Sequence, residues 1–367
     1  MGFDSFTGNA AAVTSLRSML AAGRLPGSMI LAGPSGVGKH TLASMIARAL
    51  NCLDDAAIAA GDFCGLCANC RRIAPAEYPE GDEDFAKMLA ARPKMKADDR
   101  RDHPLMFSTH PDVISFLPDG PLRQISIDQA RKLKDVAQFL PAEGRRKMII
   151  VDEAERMDAA AANSMLKVLE EPPPTTVMLL TATNYYELLP TIRSRGIVLH
   201  LSPVPEDEVE RFLARRSEMS AADRKLAAHL AEGSPGRALS LDLDAARKQR
   251  RDAADWLVAA ASQKTNYDEL MSRTEALAKG EDNLESVVGV MYSLLEDLLH
   301  LRAGRPALRN VELESMLRPL AARLDWAWIA RAAERLDTLQ RNLRRNLNRQ
   351  MALEGLAAAL TNNNIGS

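Results

Sequence analysis

The hydrophobic pattern of the chain divides near residue 203. In the first part, five short apolar runs flanked by turn residues have the length and composition of buried strands: 29–32, 112–116, 147–152, 177–181 and 196–201. Helical spacing separates these runs, and strands that alternate with helices predict a parallel, doubly wound α/β sheet over residues 1–203. In the second part the strand signals stop. We expect three short helices over 204–245 and long amphipathic helices over 246–367.

The stretch from about 75 to 107 interrupts the alternation of strands and helices. It is rich in charged residues and is punctuated by prolines at positions 75, 79, 93 and 104. Such a composition buries little apolar surface and breaks regular structure. We therefore expect an exposed insertion with one helix near 83–91.

Length and charge narrow the class of protein. A length of 367 residues predicts two or three domains. The net charge is −2 and the pI about 6.4, so any contact with DNA would need local patches or partner subunits. No apolar run reaches the roughly 18–20 residues of a membrane span, and the first residues lack the pattern of a secretory signal. We expect a cytoplasmic protein without a membrane partner.

A glycine-rich segment follows the first predicted strand and leads into a helix, which is the context of a phosphate-binding P-loop. Its candidate nucleotide-binding residues are Gly33, Ser35, Gly36, Gly38, Lys39 and Thr41. The position that normally supplies a hydroxyl to Mg²⁺ holds His40, and imidazole is a poor ligand for this cation. Thr41 lies about 100° further round the helix. ATP and Mg²⁺ binding is therefore doubtful: the loop is either vestigial or still hydrolytic.

An acidic pair ends the third predicted strand. Asp152 would hold Mg²⁺ through water, and Glu153 would orient an attacking water. The alternative is an Asp-Glu pair that only begins a helix. An intact acidic pair beside a P-loop without its hydroxyl suggests descent from an ATPase, with Glu153 as a vestigial catalytic acid.

The four cysteines of the chain are confined to residues 52–70: Cys52, Cys64, Cys67 and Cys70. Two CxxC steps can wrap one tetrahedral ion, and a fourth thiolate closes the coordination shell. Because such a shell leaves no position for a substrate, we expect a structural Zn²⁺ site. An iron–sulfur cluster and free buried thiols are the alternatives.

Several further motifs, taken in order, resemble one family: His110-Pro111-Asp112, Ile127-Asp128-Gln129, the segment 151–157 and the segment 163–173. With the P-loop and its inserted cysteines, they are similar to the gamma/tau and delta-prime subunits of the bacterial DNA polymerase III clamp loader. The resemblance implies a RecA-like AAA+ domain at 1–203 with a zinc module at 52–70, a small helical lid at 204–245 and an all-α collar domain at 246–367. It also implies a sensor-1 role for Asn184 and an arginine finger, acting on a neighbouring subunit, at Arg195.

Two departures from the family pattern separate the subunit types. The ATP-hydrolysing gamma/tau pattern has threonine where this chain has His40, and the place of the sensor-2 arginine holds Gly236. Both departures favour the delta-prime type, a scaffold subunit that helps open sliding clamps and load them on primed DNA. The implied partners are delta and gamma/tau, with the clamp and primed DNA reached through the complex. An active gamma/tau-type ATPase and a stand-alone AAA+ DNA-repair remodeller are the alternatives.

Overall fold

A computed structural model describes residues 2–74, 87, 89–120, 122–262, 266–279, 284–305, 308–343 and 349–361. The chain divides into two compact units, Met1–Ser240 and Leu241–Ser367. The first unit contains the sheet together with the three short helices that we expected over 204–245. In its described residues, the regular elements of the second unit are all helices.

The first unit is built on one six-stranded sheet, in the spatial order β2-β3-β4-β5-β1-β6. Its strands are β1 Ser28–Ala32, β2 Met106–His110, β3 Val113–Phe116, β4 Lys147–Val151, β5 Thr176–Ala182 and β6 Ile197–His200. Every neighbouring pair is parallel except β2 and β3. Every residue of β1, β4 and β5 is buried, because helices cover both faces of a parallel sheet and such strands therefore have continuous apolar sequences. The predicted α/β class is confirmed.

Eleven helices accompany the sheet in the described part of the first unit. They are α1 Ala10–Ala21, α2 Lys39–Asn51, α3 Asp55–Ala59, α4 Ala68–Ile73, α5 Ala97–Asp102, α6 Ile127–Gln138, α7 Ala159–Glu170, α8 Pro190–Arg193, α9 Glu206–Arg216, α10 Ala221–Leu230 and α11 Pro235–Ser240. Local sequence explains their ends. Ser126 and Gln129 form a capping box at the start of α6, and α7 ends before Pro172, which cannot continue it.

The edge strand β2 differs from our expectation. We expected residues up to about 107 to form an exposed insertion, but β2 begins at Met106 and pairs antiparallel with β3. Leu105 and Arg92 are buried, and Arg92 forms an ion pair with Asp119. The charged composition concealed these contacts, since a buried arginine with an acidic partner has the same sequence signature as an exposed one. Most of the helix expected at 83–91 lies outside the described residues.

The second unit consists of helices packed around one apolar core. They are α12 Leu243–Ala260, α13 Tyr267–Lys279, α14 Leu284–Arg302, α15 Glu314–Arg323, α16 Trp326–Leu343 and α17 Arg349–Thr361. The stripe predicted along α14 is buried at its central positions, from Val287 to Leu298. Among the described residues, none of the helices is both long and apolar enough to cross a membrane.

Candidate nucleotide site and cysteine cluster

The glycine-rich segment lies at the carboxyl edge of the sheet, between β1 and α2. Gly36 and Gly38 have φ of 76° and 101°, values that side-chain-bearing residues rarely adopt. Lys39, the first residue of α2, turns back over the loop, and its Nζ donates to the carbonyl oxygens of Gly33 and Pro34 at 2.7 and 2.8 Å. The loop therefore has the strand–turn–helix context of a P-loop, and its lysine contacts the backbone that would surround a phosphate.

Two opposing effects act on the pKa of Lys39. Burial lowers the pKa of its ammonium group, while the nearby carboxylates of Asp152, Glu155 and Glu153 raise it, and the net shift is downward. The structure therefore brings the loop and the acidic segment together, as the sequence predicted. His40 and Thr41 follow Lys39 in the first turn of α2 and are both half-buried. Ser35 is exposed at the tip of the loop.

Thr181 on β5 orders the acidic pair, a contact that the sequence reasoning missed. Its Oγ1 donates to Oδ1 of Asp152 at 2.5 Å and accepts from the backbone N–H of Glu153 at 3.1 Å. Parallel β4 and β5 are adjacent in the sheet, so residues at their carboxyl ends lie side by side. This adjacency is a property of the strand order and has no local sequence signal.

Two arginine side chains contact the carboxylate of Glu153. Its backbone is left-handed, with φ of 47°, and its carboxylate accepts from Arg123 Nη2 at 2.6 Å and from Arg156 Nε. Two guanidinium groups therefore compensate the charge of the residue that would orient an attacking water. No pattern in the sequence singles out Arg123, which lies on a separate turn 30 positions away.

Asn184 follows β5 and begins a short 3₁₀ turn. Its Oδ1 accepts from the backbone N–H of Tyr186 at 3.0 Å, and its Nδ2 donates to Glu187 at 3.3 Å. The side chain thus caps a local turn at the same edge of the sheet as Asp152. Here its polar atoms are engaged within the segment.

The last short helix of the first unit packs directly on the glycine-rich loop. The backbone N–H of Gly236, near the start of α11, donates to the carbonyl oxygen of Gly36 at 2.9 Å. A Cβ at position 236 would lie only 3.1 Å from that oxygen. Glycine at this place therefore permits a close backbone contact that an arginine would disturb. The next residue, Arg237, pairs with Glu232 at 3.4 Å.

Arg195 lies in the turn after α8, just before β6. Its Nε donates to Oε2 of Glu170 at 3.1 Å, and its Nη1 donates to the carbonyl oxygen of Thr191 at 2.9 Å. Glu170 is largely exposed, so the ion pair lies at the surface, where such pairs contribute little stability.

The four cysteines converge on one point. The sulfur atoms of Cys52, Cys64, Cys67 and Cys70 all lie within 4.8 Å of one another, and sulfurs around one tetrahedral zinc are about 3.8 Å apart. Backbone N–H groups donate to three of the sulfurs: Cys64 to that of Cys52, Leu66 and Cys67 to that of Cys64, and Cys70 to that of Cys67. Such donors stabilise thiolates. The donor set and its spacing therefore fit a four-thiolate metal centre, and sequence reasoning identified all of its members.

The thiols of the cluster differ in acidity. Burial raises the pKa of Cys67, but the hydrogen bond from the backbone of Cys70 and others nearby lower it to about 7. Burial raises the pKa of Cys52 and of Cys70. A bound cation would offset that cost by favouring the thiolate form of each ligand.

The cluster is remote from the P-loop. The 13-residue helix α2 begins at Lys39 and has Cys52 as its C-cap, and at 1.5 Å per residue it separates the two sites by about 20 Å. A metal held here would therefore lie at the opposite edge of the sheet from any bound nucleotide. It would order the chain between α2 and α4 and would not take part in phosphate chemistry.

Comparison with known protein families identifies the relationship. Residues 8–205, more than half of the chain, match the family model described as DNA polymerase III, delta subunit. The chain belongs to this family. Its relatives include subunits named tau, gamma/tau and delta′, and the resemblance to clamp-loader subunits is thereby confirmed.

Relatives of both subunit types align with the chain. Tau of Escherichia coli K12 is 28% identical over 320 residues, 86% of this chain and 42% of tau. Delta′ of Pseudomonas aeruginosa is 32% identical over 229 residues, 62% of this chain and 58% of that protein. Delta′ of E. coli K12 is 29% identical over 216 residues, 59% of this chain and 63% of that protein. The chain thus spans less than two thirds of each of these relatives.

Two solved structures from Thermotoga maritima show limited similarity. The gamma subunit-related protein of DNA polymerase III has a TM-score of 0.45 and 17% identity, covering 96% of this chain and 99% of that one. The RuvB Holliday junction branch migration motor has a TM-score of 0.38 and 17% identity, covering 86% and 83%. The family assignment rests on the sequence match alone.

Proposed function

We propose that the chain is a delta-prime-type subunit of the DNA polymerase III clamp loader, with little or no ATPase activity of its own. The observation that carries the proposal is His40, which occupies the P-loop position of the Mg²⁺-ligating hydroxyl. Phosphoryl transfer depends on a metal ion that bridges the β- and γ-phosphates. Without the hydroxyl, the site lacks the side chain that would bind this ion directly, and Asp152 would hold it only through water.

Two further features support a non-hydrolytic site. Gly236 packs its backbone on the loop at the place where an ATPase of this family carries an arginine. Glu153 is engaged by Arg123 and Arg156, so a water-orienting role would first require both ion pairs to open. The intact Lys39 and Asp152 favour the second candidate, an active gamma/tau-type ATPase.

ATP hydrolysis by the purified full chain distinguishes the two candidates. We expect a rate in Mg²⁺ that equals the rate of a Lys39→Ala control, because neither protein would position a bridging metal ion. His40→Thr restores the hydroxyl and should strengthen Mg²⁺-dependent nucleotide binding, while Gly236 still limits turnover. Mg²⁺-dependent hydrolysis by the unmodified chain that Lys39→Ala abolishes would contradict the proposal and establish the active ATPase.

We propose that the functional contribution of this subunit is made in trans, by Arg195. A guanidinium stays charged at every relevant pH and can stabilise the charge that develops on a γ-phosphate held by a neighbouring subunit. The surface pair with Glu170 supports this role, since it holds the side chain in place at little energetic cost to release.

The cysteine cluster is proposed to bind one structural Zn²⁺. Four thiolates close enough to surround one tetrahedral ion suit zinc, and they leave no open coordination position for a substrate. The distance from the P-loop supports a structural role.

The partners follow from the family. We propose that the subunit assembles with delta and gamma/tau, that the helical second unit is the collar that holds the ring together, and that the sliding clamp and primed DNA are reached through the complex. A stand-alone remodeller would instead act without these subunits. Co-elution with delta and gamma/tau on a sizing column separates the two.

A further inference from the structure

The second unit carries a surface groove that the proposed function does not use. The groove has a volume of about 410 Å³ and is lined by Leu301, Arg302, Arg318, Ala321, Ala322 and Trp326. It lies where the end of α14 meets α15 and the start of α16. None of the described residues that line it is acidic. Its lining combines aliphatic side chains with two guanidinium groups and an indole.

Trp326 is the exposed aromatic side chain of this groove. Of the three tryptophans in the chain, Trp256 and Trp328 are buried, whereas Trp326 is 51% exposed. The guanidinium of Arg302 lies 5.4 Å from the centroid of the Trp326 ring. Arg302 is fixed there because its Nη1 donates to the carbonyl oxygens of Ala321, at 3.1 Å, and of Leu324. The indole therefore presents the rest of its surface to solvent in a fixed orientation.

The segment that supplies five of the six lining residues is strongly biased in charge. Residues 302–349 contain eleven arginines, no lysine and five acidic residues, although the chain as a whole has a net charge of −2. Arginine recognises phosphate through two parallel hydrogen bonds and also stacks on planar rings, whereas lysine acts as a point charge. The excess of arginine thus favours a ligand in which phosphates alternate with planar groups.

We propose that this groove binds single-stranded nucleic acid, with one base stacked on Trp326 and the adjacent phosphate held by Arg318, while Arg302 positions the indole and adds positive charge. An exposed aromatic ring in a positively charged groove is the common platform for sequence-tolerant binding of single strands. Ala321 and Ala322 add only methyl side chains to the lining, which leaves room for a planar base. Arg318 forms an ion pair with Glu314 on its own helix, but an exposed pair of this kind is weak and can be exchanged for a phosphate.

The test is a titration of the full chain with a fluorescein-labelled dT oligonucleotide of about twelve nucleotides. Stacking should quench the fluorescence of Trp326, while Trp256 and Trp328 stay shielded. We expect Trp326→Ala to weaken binding about tenfold and Trp326→Phe, which keeps an aromatic face, to retain most of the affinity. Arg318→Gln should weaken binding and reduce the slope of log K against log salt by about 0.7.

Two matched variants control for exposure and charge. Tyr267 is 54% exposed on the same unit, so Tyr267→Ala should bind as the unmodified chain does. Arg211 forms an i,i+4 ion pair with Asp207 and is as exposed as Arg318, so Arg211→Gln should also bind normally. Melting curves confirm that each variant is folded.

Several outcomes would overturn the proposal. These are no binding of the oligonucleotide at micromolar protein, affinities unchanged by Trp326→Ala and Arg318→Gln, or a polyglutamate peptide that competes as well as dT. Tight duplex binding that is insensitive to Trp326 would also overturn it. None of these measurements uses ATP or a partner subunit, so the result is independent of the proposed role in the clamp loader.

Discussion

At the scale of single residues, Asp112 shows how one buried carboxylate organises the edge of the sheet beside the cysteine module. The carboxylate is fully buried and accepts from the backbone N–H groups of Ala142, Glu143 and Gly144 at 2.7, 2.8 and 2.6 Å. Its own N–H donates to Nδ1 of His110 at 3.2 Å. The sequence identified these residues only as a family motif, and the structure supplies the physical role: they join β3 to the turn before β4.

The pKa shifts of these two residues act in the same direction on stability. Burial raises the pKa of Asp112, but the three N–H donors together lower it by more than burial raises it. The net pKa is therefore below its ordinary 3.8. Burial lowers the pKa of His110 below 6.5, and the positive charge of Arg72 adds to the effect. In both cases the unfolded chain binds protons at a higher pH than the folded chain does. Stability is therefore lost as the pH falls, from about 6.5 for His110 and from about 4 for Asp112.

We predict that Asp112→Asn lowers the free energy of unfolding by about 2–3 kcal/mol at pH 7. The amide has only one acceptor oxygen and no negative charge, so it cannot replace the carboxylate as acceptor of all three hydrogen bonds. Urea unfolding between pH 3 and 7 measures this loss. At the acid end of this range the free energy of unfolding should fall less steeply with pH in the variant than in the unmodified chain. Asp135→Asn, at an exposed position on α6, is the control. Equal stability of the two variants would contradict the role given to Asp112.

A second prediction at this scale concerns Arg195. In a reconstituted clamp loader, Arg195→Ala should leave the subunit incorporated but slow hydrolysis at the neighbouring ATP site by about 10³ or more. The control is Glu170→Gln, which removes the intramolecular partner and keeps the guanidinium. DNA-stimulated ATPase that is normal in both variants, or reduced equally in both, would make Arg195 a structural residue only.

At the scale of elements, the cysteine module explains how α2 and α4 are held together. The N–H groups of Cys64 and Cys70 donate to the sulfurs of Cys52 and Cys67, and Asn69 Nδ2 donates to the carbonyl oxygen of Asn51 at 3.0 Å. α3 and α4 contain only five and six residues. Helices this short are not stable without tertiary support. A metal ion would supply that support.

We therefore predict about one Zn²⁺ per chain by elemental analysis, and a melting temperature that falls by about 5 °C or more in Cys67→Ser. Ala68→Ser introduces the same hydroxyl at the adjacent exposed position and should leave both quantities unchanged. Metal-free protein with four titratable thiols, and with a melting temperature indifferent to Cys67→Ser, would rule out the zinc site.

At the scale of the whole molecule, the two units have separate cores. The sheet and the short helices α9–α11 belong to the first unit, and the second has its own apolar cluster. The chain between them is short: α11 ends at Ser240, and Asp242 caps the start of α12 by accepting from the N–H groups of Asp244 and Ala245. A cut between Ser240 and Leu241 therefore leaves this cap intact.

We predict that a fragment of residues 1–240 folds and binds zinc as the full chain does, but does not assemble with delta and gamma/tau, because the proposed collar is missing. Circular dichroism and zinc content test folding, and a sizing column tests assembly. The full chain carried through the same columns is the control. A folded fragment that assembles normally would contradict the collar assignment, and a fragment that is unfolded would contradict the independence of the two cores.

Much of the architecture could be predicted because it is encoded in local patterns. The apolar run Lys147–Val151 predicts a buried parallel strand, the spacing from Val287 to Leu298 predicts a helix with one buried face, and the cysteine spacing predicts convergence. The glycines and Lys39 of the P-loop act within one turn of chain, so their arrangement could be predicted from the sequence as well. In each case the residues that interact are close in sequence or repeat with the period of one element.

The tertiary structure alone decided the contacts between distant segments. Three such contacts join residues that no periodicity relates. Arg123 pairs with Glu153, Gly236 approaches Gly36, and Arg92 is buried against Asp119. Charged and glycine residues occur at surfaces and in loops as well, so their partners depend on strand order and helix packing. The sequence by itself determined most of the elements, the family and the candidate ligands, but not the edge strand β2. Only the fold determined which charges oppose each other across the site, because electrostatic pairing depends on distance in space and not along the chain.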